Sequence, residues 1–225
     1  VNAFTSEEMT FYHNSFPPHQ IIKWLDLYSH RFAQPVFRSF QSELEVVYEE
    51  KNRAMDDFQR KIFEDFSAEV FEGHPYGTQT VLGSVEHLKK PSLNKMYEFF
   101  NTYYVPNNMA LILTGNFDIE VVKPVIEEKF GSWKAQPLPK SPNYPIKSFE
   151  GKESKKGRYT PVKVMLLAQK TVPNGHPDEA ALEIASRLLY NYEETGLLNK
   201  LQLDGKLLYT ESQLLQHNED GANML

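Results

Sequence analysis

The chain has 225 residues, 40% hydrophobic and 24% charged, with a formal net charge of −6 and no cysteine. This is the balance of an ordinary globular protein able to bury a core, which excludes wholesale disorder, and the acidic excess without a basic, aromatic-interleaved stripe argues against a nucleic-acid surface. The lack of cysteine removes disulfides, thiol catalysis and thiolate metal sites, and no apolar run reaches the roughly 18 residues of a membrane span.

In chain order, residues 2–16 hold two short strand-like runs around Ser6-Glu7-Glu8, a hairpin signal. Pro17 and Pro18 open a helix whose apolar members Ile21, Ile22, Trp24, Leu25, Tyr28 and Phe32 recur at helical spacing. After Pro35 a long helix is predicted from about Phe37 to Phe71, its later half carrying Met55, Phe58, Ile62, Phe66 and Val70 as a core-facing stripe. His74-Pro75-Tyr76-Gly77 reads as a loop of breakers, explained by Pro and Gly alone. Next come a helix over 92–104, a buried strand over Met109–Thr114 and a helix near Ile119–Phe130.

Composition then changes. Pro137, Pro139, Pro142 and Pro145 precede the charge run 150–158, which marks 137–158 as a linker. Beyond it the pattern predicts a strand over Val162–Ala168, helices over Asp178–Leu189 and Tyr192–Leu203, and a strand over Leu207–Leu215, with NEDGANML looking like the start of another. The expected fold class is α+β, an antiparallel sheet layered with helices. The expected domains are 1–136, the linker 137–158, and 159–225 as the start of a second, similar unit. The opening VNAFTSEE and the closing strand-like run read as cuts within a longer polypeptide.

The stretch QSELEVVYEEKNR, residues 41–53, mixes acids with apolar residues. At about 100° per residue, Glu43 and Glu50 differ by roughly 20° and share a stripe with Val47 and Ala54. Two carboxylates on a partly apolar stripe raise the question of what would offset their burial. A metal is one answer, and a partner-bonded interface is another. Zinc peptidases often draw two His from one helix, four apart, with a Glu as general base. Here His13, His19, His30, His74, His87, His176 and His217 include no pair four apart, so neither H-E-x-x-H nor H-x-x-E-H is present. His176-Pro177-Asp178-Glu179 reads as a helix start with Asp178 at the cap or in the first turn. There is no G-x-S-x-G and no phosphate-cradling glycine loop.

Taken in order, Asn2-Ala3-Phe4-Thr5-Ser6 with Thr10 and Tyr12, Pro35 and Phe37, Glu43-x6-Glu50, His74-Pro75-Tyr76-Gly77, Tyr103 through Met109, and Gly115-Asn116 resemble a known family. It is the inverted-zinc-motif metallopeptidase family, the pitrilysin, insulin-degrading enzyme and mitochondrial processing peptidase group. The resemblance covers most of residues 1–140 and is looser after the linker, where it rests on 180–189 and Gly196-Leu197-Leu198.

The resemblance implies zinc held by two His of an H-x-x-E-H helix and one Glu from a following helix, with metal-assisted hydrolysis of peptide bonds. Carried over by position, Glu50 resembles the third zinc ligand and Glu43 the accessory acid, while Asn2, Ala3, Phe4 and Thr5 resemble an edge strand to which a peptide substrate adds. The same residues also fit a plain sheet edge. The H-x-x-E-H helix would lie upstream of this sequence. The chain by itself is therefore expected to be inactive, one carboxylate being unable to satisfy zinc. Retention of both acids favours the zinc-bearing half. The implied partners are a peptide or unfolded polypeptide and a homologous second half or subunit closing a chamber. A non-catalytic, peptide-binding or processing subunit is the alternative. An acidic module binding a basic partner is a third option. The compartment is open, with the missing cysteines merely suggesting the cell envelope.

Overall fold

The computed structural model describes residues 2–160 and 163–225, and it is an α+β protein of helices with two small antiparallel sheets. It divides into two compact units. One gathers residues 11–49 and 84–142 with the first strand residues up to Phe4, and the other gathers Thr5–Thr10, Glu50–Gly83 and the chain from Asn143 onward.

β1 (Asn2–Thr5) and β2 (Thr10–His13) form a two-stranded hairpin, with Phe4 stacked on Phe11 at 5.3 Å; Asn2–Phe4 and Phe11–His13 count with the first unit and the tip Thr5–Thr10 with the second. Its tip is closed by the Ser6 N–H donating to the Met9 carbonyl, while the Ser6 hydroxyl accepts from the amides of Glu8 and Met9. A single 3-10 turn at Pro18–Gln20 leads into α1 (Ile21–Ala33). The i, i+4 pair Ile21 and Leu25 packs against Val122 of a helix described below, ringed by Phe16, Trp24, Leu113, Phe117, Val125, Ile126 and Phe130.

The long predicted helix is two. α2 runs Phe40–Asp56 and α3 runs Phe58–Val70, because the Asp57 side chain accepts from the amides of Gln59 and Arg60 and caps a new helix. The apolar stripe is also only partly a core: Met55 and Phe58 are exposed, and burial begins toward Val70. His74-Pro75-Tyr76-Gly77 is likewise not a loop but the start of a one-turn helix, α4 (Pro75–Thr78), with Pro at its first position and the His74 ring accepting from the Tyr76 amide. Gly77 is dictated by approach to α3, since a Cβ there would lie 2.6 Å from the Ser67 carbonyl oxygen.

A short helix that the sequence pattern did not reveal, α5 (Val85–Lys89), precedes α6 (Leu93–Tyr103), which Ser92 caps by accepting from the Lys95 amide. The predicted buried strand at Met109–Thr114 is absent: the segment pairs with no strand among the described residues, and Ile112 is 70% exposed. A continuous apolar run such as Met-Ala-Leu-Ile-Leu makes a strand only where a ladder partner is present. α7 (Ile119–Phe130), which supplies Val122, lies where its periodicity placed it and carries Pro124 within its span.

In the second unit β3 (Ala168–Thr171), β4 (Gln213–Gln216) and β5 (Gly221–Met224) form an antiparallel sheet in the order β3-β5-β4, with Lys170 and Leu215 both opposite Ala222. The strand expected at 162–168 starts late; Val162 lies outside the described residues, and only Ala168 of the remainder is in a strand. The strand expected at 207–215 is confined to its last residues, and Leu208 is 93% exposed. α8 (Glu179–Leu189) matches its prediction, although its start is held by Glu179 accepting from the Gly175 amide rather than by the Asp178 side chain. α9 is Leu197–Leu203 only, shorter than predicted, because Asn191 turns the chain through bonds with Thr195 and Gly196 begins the helix. The core here is small: Val70, Phe71, Leu215 and Ala222.

Candidate functional site

The second unit contains a groove of about 620 Å³ lined by Thr5, Glu50, Arg53, Ala54, Asp57, Arg60, Val81 and Leu82. Its walls follow from local structure. The end of α2 and the start of α3 present Glu50, Arg53, Asp57 and Arg60 on successive turns, and Thr5 comes from the end of β1. Beneath the α2 side, Lys51 is 8% exposed and donates to Thr80 at 3.4 Å, the Thr80 hydroxyl in turn donating to the Gly83 carbonyl. Those bonds tie α2 to the segment that delivers Val81 and Leu82.

Two of the residues expected at a site, Thr5 and Glu50, thus reach one groove. Asn2, Ala3 and Phe4 are exposed on β1, whose second side has no strand partner among the described residues. Glu43 lies two turns before Glu50 on α2 and does not line the groove. Both acids are exposed, and neither side chain has an ion-pair or hydrogen-bond partner among the described residues. The burial that motivated the pairing is therefore not seen, and the stripe carries no desolvation penalty. Val47 and Ala54, which share it, are half-buried.

The fit of a zinc ion can be tested on this donor set. Zinc takes four ligands in structural sites and three protein ligands plus water in catalytic ones. Among the described residues no group of three or more His, Cys, Asp or Glu could hold a metal. Glu50 alone does not fit a zinc site, so no reaction step can be routed through a metal on these residues.

A second polar constellation, also in the second unit, was not read as a site from the sequence. His74 is 3% exposed. Its Nδ1 accepts from the Tyr76 amide at 3.3 Å, which assigns the proton to Nε2, and Nε2 lies 3.1 Å from a Glu219 carboxylate oxygen. The Tyr76 hydroxyl donates to Glu8 at 2.5 Å and accepts from the Glu219 amide at 3.3 Å. Glu8 also accepts from the amide and the side chain of Asn218, at 3.0 and 2.8 Å. The His217 ring stacks on Tyr76 at 4.1 Å, and Tyr144 meets His74 edge-on.

The electrostatics follow the geometry. Burial pushes the Glu8 carboxyl up, but the Tyr76 hydroxyl, the Asn218 donors and nearby His217 together outweigh it and hold it below the usual carboxylate range. Burial, then the bond to Glu8, pushes the Tyr76 phenol up, so it remains a donor at any ordinary pH. Burial lowers His217 despite the opposing charges of Glu7, Glu8 and Asp220. The result is a clasp that fixes the β1–β2 tip, α4 and the β4–β5 turn to one another. The spacing of these residues, up to 210 positions apart, hid it from sequence reading. The only local signal was His-Pro at a helix start.

Comparison with known proteins places the chain. The family described as "Peptidase M16 inactive domain" matches residues 91–212, more than half of the sequence. The chain belongs to the peptidase M16 family. It is 26% identical over 136 residues to the mitochondrial-processing peptidase subunit beta of Caenorhabditis elegans, covering 60% of this chain and 30% of that protein. It is 28% identical over 138 residues to the uncharacterized zinc protease YmxG of Bacillus subtilis (strain 168), covering 60% of this chain and 33% of that one. Among solved structures, a protease from Helicobacter pylori superposes with a TM-score of 0.72 at 20% identity, covering 92% of this chain and 52% of that one. The first half of the periplasmic protease PqqL from Escherichia coli gives 0.68 at 14% identity, covering all of this chain and 50% of that one. The chain spans about a third of the length of these curated relatives.

Proposed function

We propose that this chain is part of a zinc-dependent metalloendopeptidase and that its groove receives an extended peptide. The observation that carries the reading is the groove itself, which Thr5, from the end of a strand whose second edge has no partner strand among the described residues, lines together with Glu50. An extended polypeptide can add to such an edge through backbone hydrogen bonds, with affinity but little sequence selection. Family membership and the relatives named as zinc proteases supply the chemistry. Since Glu50 by itself does not make a zinc site, its part in this reading is conditional: it would serve as one metal ligand only where imidazoles from outside these residues completed the set, with Glu43 as an accessory acid. The domain division that goes with this proposal is 1–136 as part of the zinc-bearing peptidase domain, 137–158 as a linker and 159–225 as the start of a second, similar α+β domain, a division along the sequence that differs from the two compact units of the fold.

A homologous half or subunit is the proposed structural partner. Ile184 and Leu188, one turn apart on α8, are 62% and 66% exposed, an apolar stripe without an occupant among the described residues. A non-catalytic, peptide-binding subunit is the second reading, favoured by the inactive-domain family over 91–212.

Incubating the chain with zinc and an unfolded polypeptide is expected to give binding without specific cleavage; specific hydrolysis would overturn the assignment of a partial site. A proline placed within β1 is expected to weaken peptide binding more than Phe4→Ala or Asn2→Ala. Equal effects would remove the backbone-addition account.

A further inference from the structure

We infer that Arg53, assisted by Arg60, makes this groove selective for peptides carrying an acidic side chain. The inference rests on the reading of the groove as a peptide site and adds the substrate chemistry. Arg53 is exposed, lines the groove one turn beyond Glu50, and has no ion-pair or hydrogen-bond partner among the described residues. A guanidinium offers a planar fork of donors matched to a carboxylate. Arg60 lies seven residues further on, across the junction of α2 and α3. Its Nε donates to Glu64 at 3.2 Å, which spends only one of its donors.

The two carboxylates on the wall are unequal competitors for these groups. Asp57 is engaged by the amides of Gln59 and Arg60 as the α3 cap. Glu50 is the free one, lining the groove with no hydrogen-bond or ion-pair partner among the described residues. Val81 and Leu82 supply an apolar wall, so a carboxylate entering beside them would be partly desolvated and its contact with Arg53 strengthened. A lysine-bearing peptide would instead meet two guanidiniums with only Glu50 to receive it.

The experiment uses the full chain and three fluorescent decapeptides that differ at one central position, Glu, Gln or Lys, with binding followed by anisotropy at low and high salt. The Glu peptide is expected to bind roughly fivefold to tenfold tighter than the Gln peptide at low salt, with the gap narrowing at high salt. Arg53→Glu is expected to invert the order so that the Lys peptide binds best, and Arg53→Lys to keep part of the preference. Because Arg53 is exposed and unpartnered, unchanged circular dichroism of these variants serves as the fold control. Equal binding of all three peptides, or an order unaltered in Arg53→Glu, overturns the acidic preference while leaving the groove reading intact. Failure of every peptide to bind overturns the groove reading and this inference with it.

Discussion

In the first unit, α1 and α7 bring Ile21, Leu25 and Val122 together inside a ring of aromatic and aliphatic side chains. In the second, a core of only Val70, Phe71, Leu215 and Ala222 is accompanied by a clasp of bonds among Glu8, His74, Tyr76, Asn218 and Glu219. Apolar burial is non-directional and indifferent to pH, whereas charge-assisted bonds are directional and titrate. One unit is thus held by area and the other leans on geometry. The candidate groove belongs to the second unit too, but it is lined by Glu50, Arg53, Asp57 and Arg60, a set of polar side chains separate from the clasp.

Removing area from the first unit should produce the largest effect. Leu25 is fully buried, so Leu25→Ala is expected to cost about 2–5 kcal/mol. Both tryptophans, Trp24 and Trp133, lie in that unit, so their fluorescence in a urea titration reports its unfolding. A loss under 1 kcal/mol would mean that this core is not what holds the unit.

Cutting the clasp comes next. Tyr76→Phe deletes the hydroxyl that bonds Glu8 and the Glu219 amide, and about 1–2 kcal/mol should be lost. Amide hydrogen exchange of β3, β4 and β5 is the appropriate probe, with the tryptophan signal unchanged. If both signals shift equally, the two regions do not respond separately.

Asp57→Ala removes the cap that divides α2 from α3, at about 1 kcal/mol. Exchange at the amides of Gln59 and Arg60 should accelerate most; protection there that is unaltered would refute the cap as the cause of the break.

The smallest effect is that of pH. His217 has its folded value lowered, so the unfolded chain binds more protons and stability falls as pH drops through 6.5 toward that folded value. Glu8 is also lowered. Its contribution is present above 4.5 and is lost as pH falls through its folded value. Acidification should therefore loosen the second unit in two steps, the His217 step vanishing in His217→Gln. A second unit more stable at pH 6 than at pH 8 would contradict the sign.

The hairpin at residues 2–13, α1, α7 and α8 were legible because each is written in a local period or turn signal that its neighbours do not contradict. The family was legible too, since Glu43-x6-Glu50 and His74-Pro75-Tyr76-Gly77 keep their order along the chain. What the sequence could not show is where side chains with the same local pattern end up. Met109–Thr114 is a continuous apolar run that reads as a buried strand yet pairs with nothing among the described residues, and Met55 and Phe58 continue a core stripe yet face solvent. The Asp57 break, the exposure of Glu43 and Glu50, and the Glu8–Tyr76 bond were likewise decided only in three dimensions. Periodicity specifies which face of an element is apolar, but burial, pairing and hydrogen bonding depend on a partner, and that partner is far away in the chain.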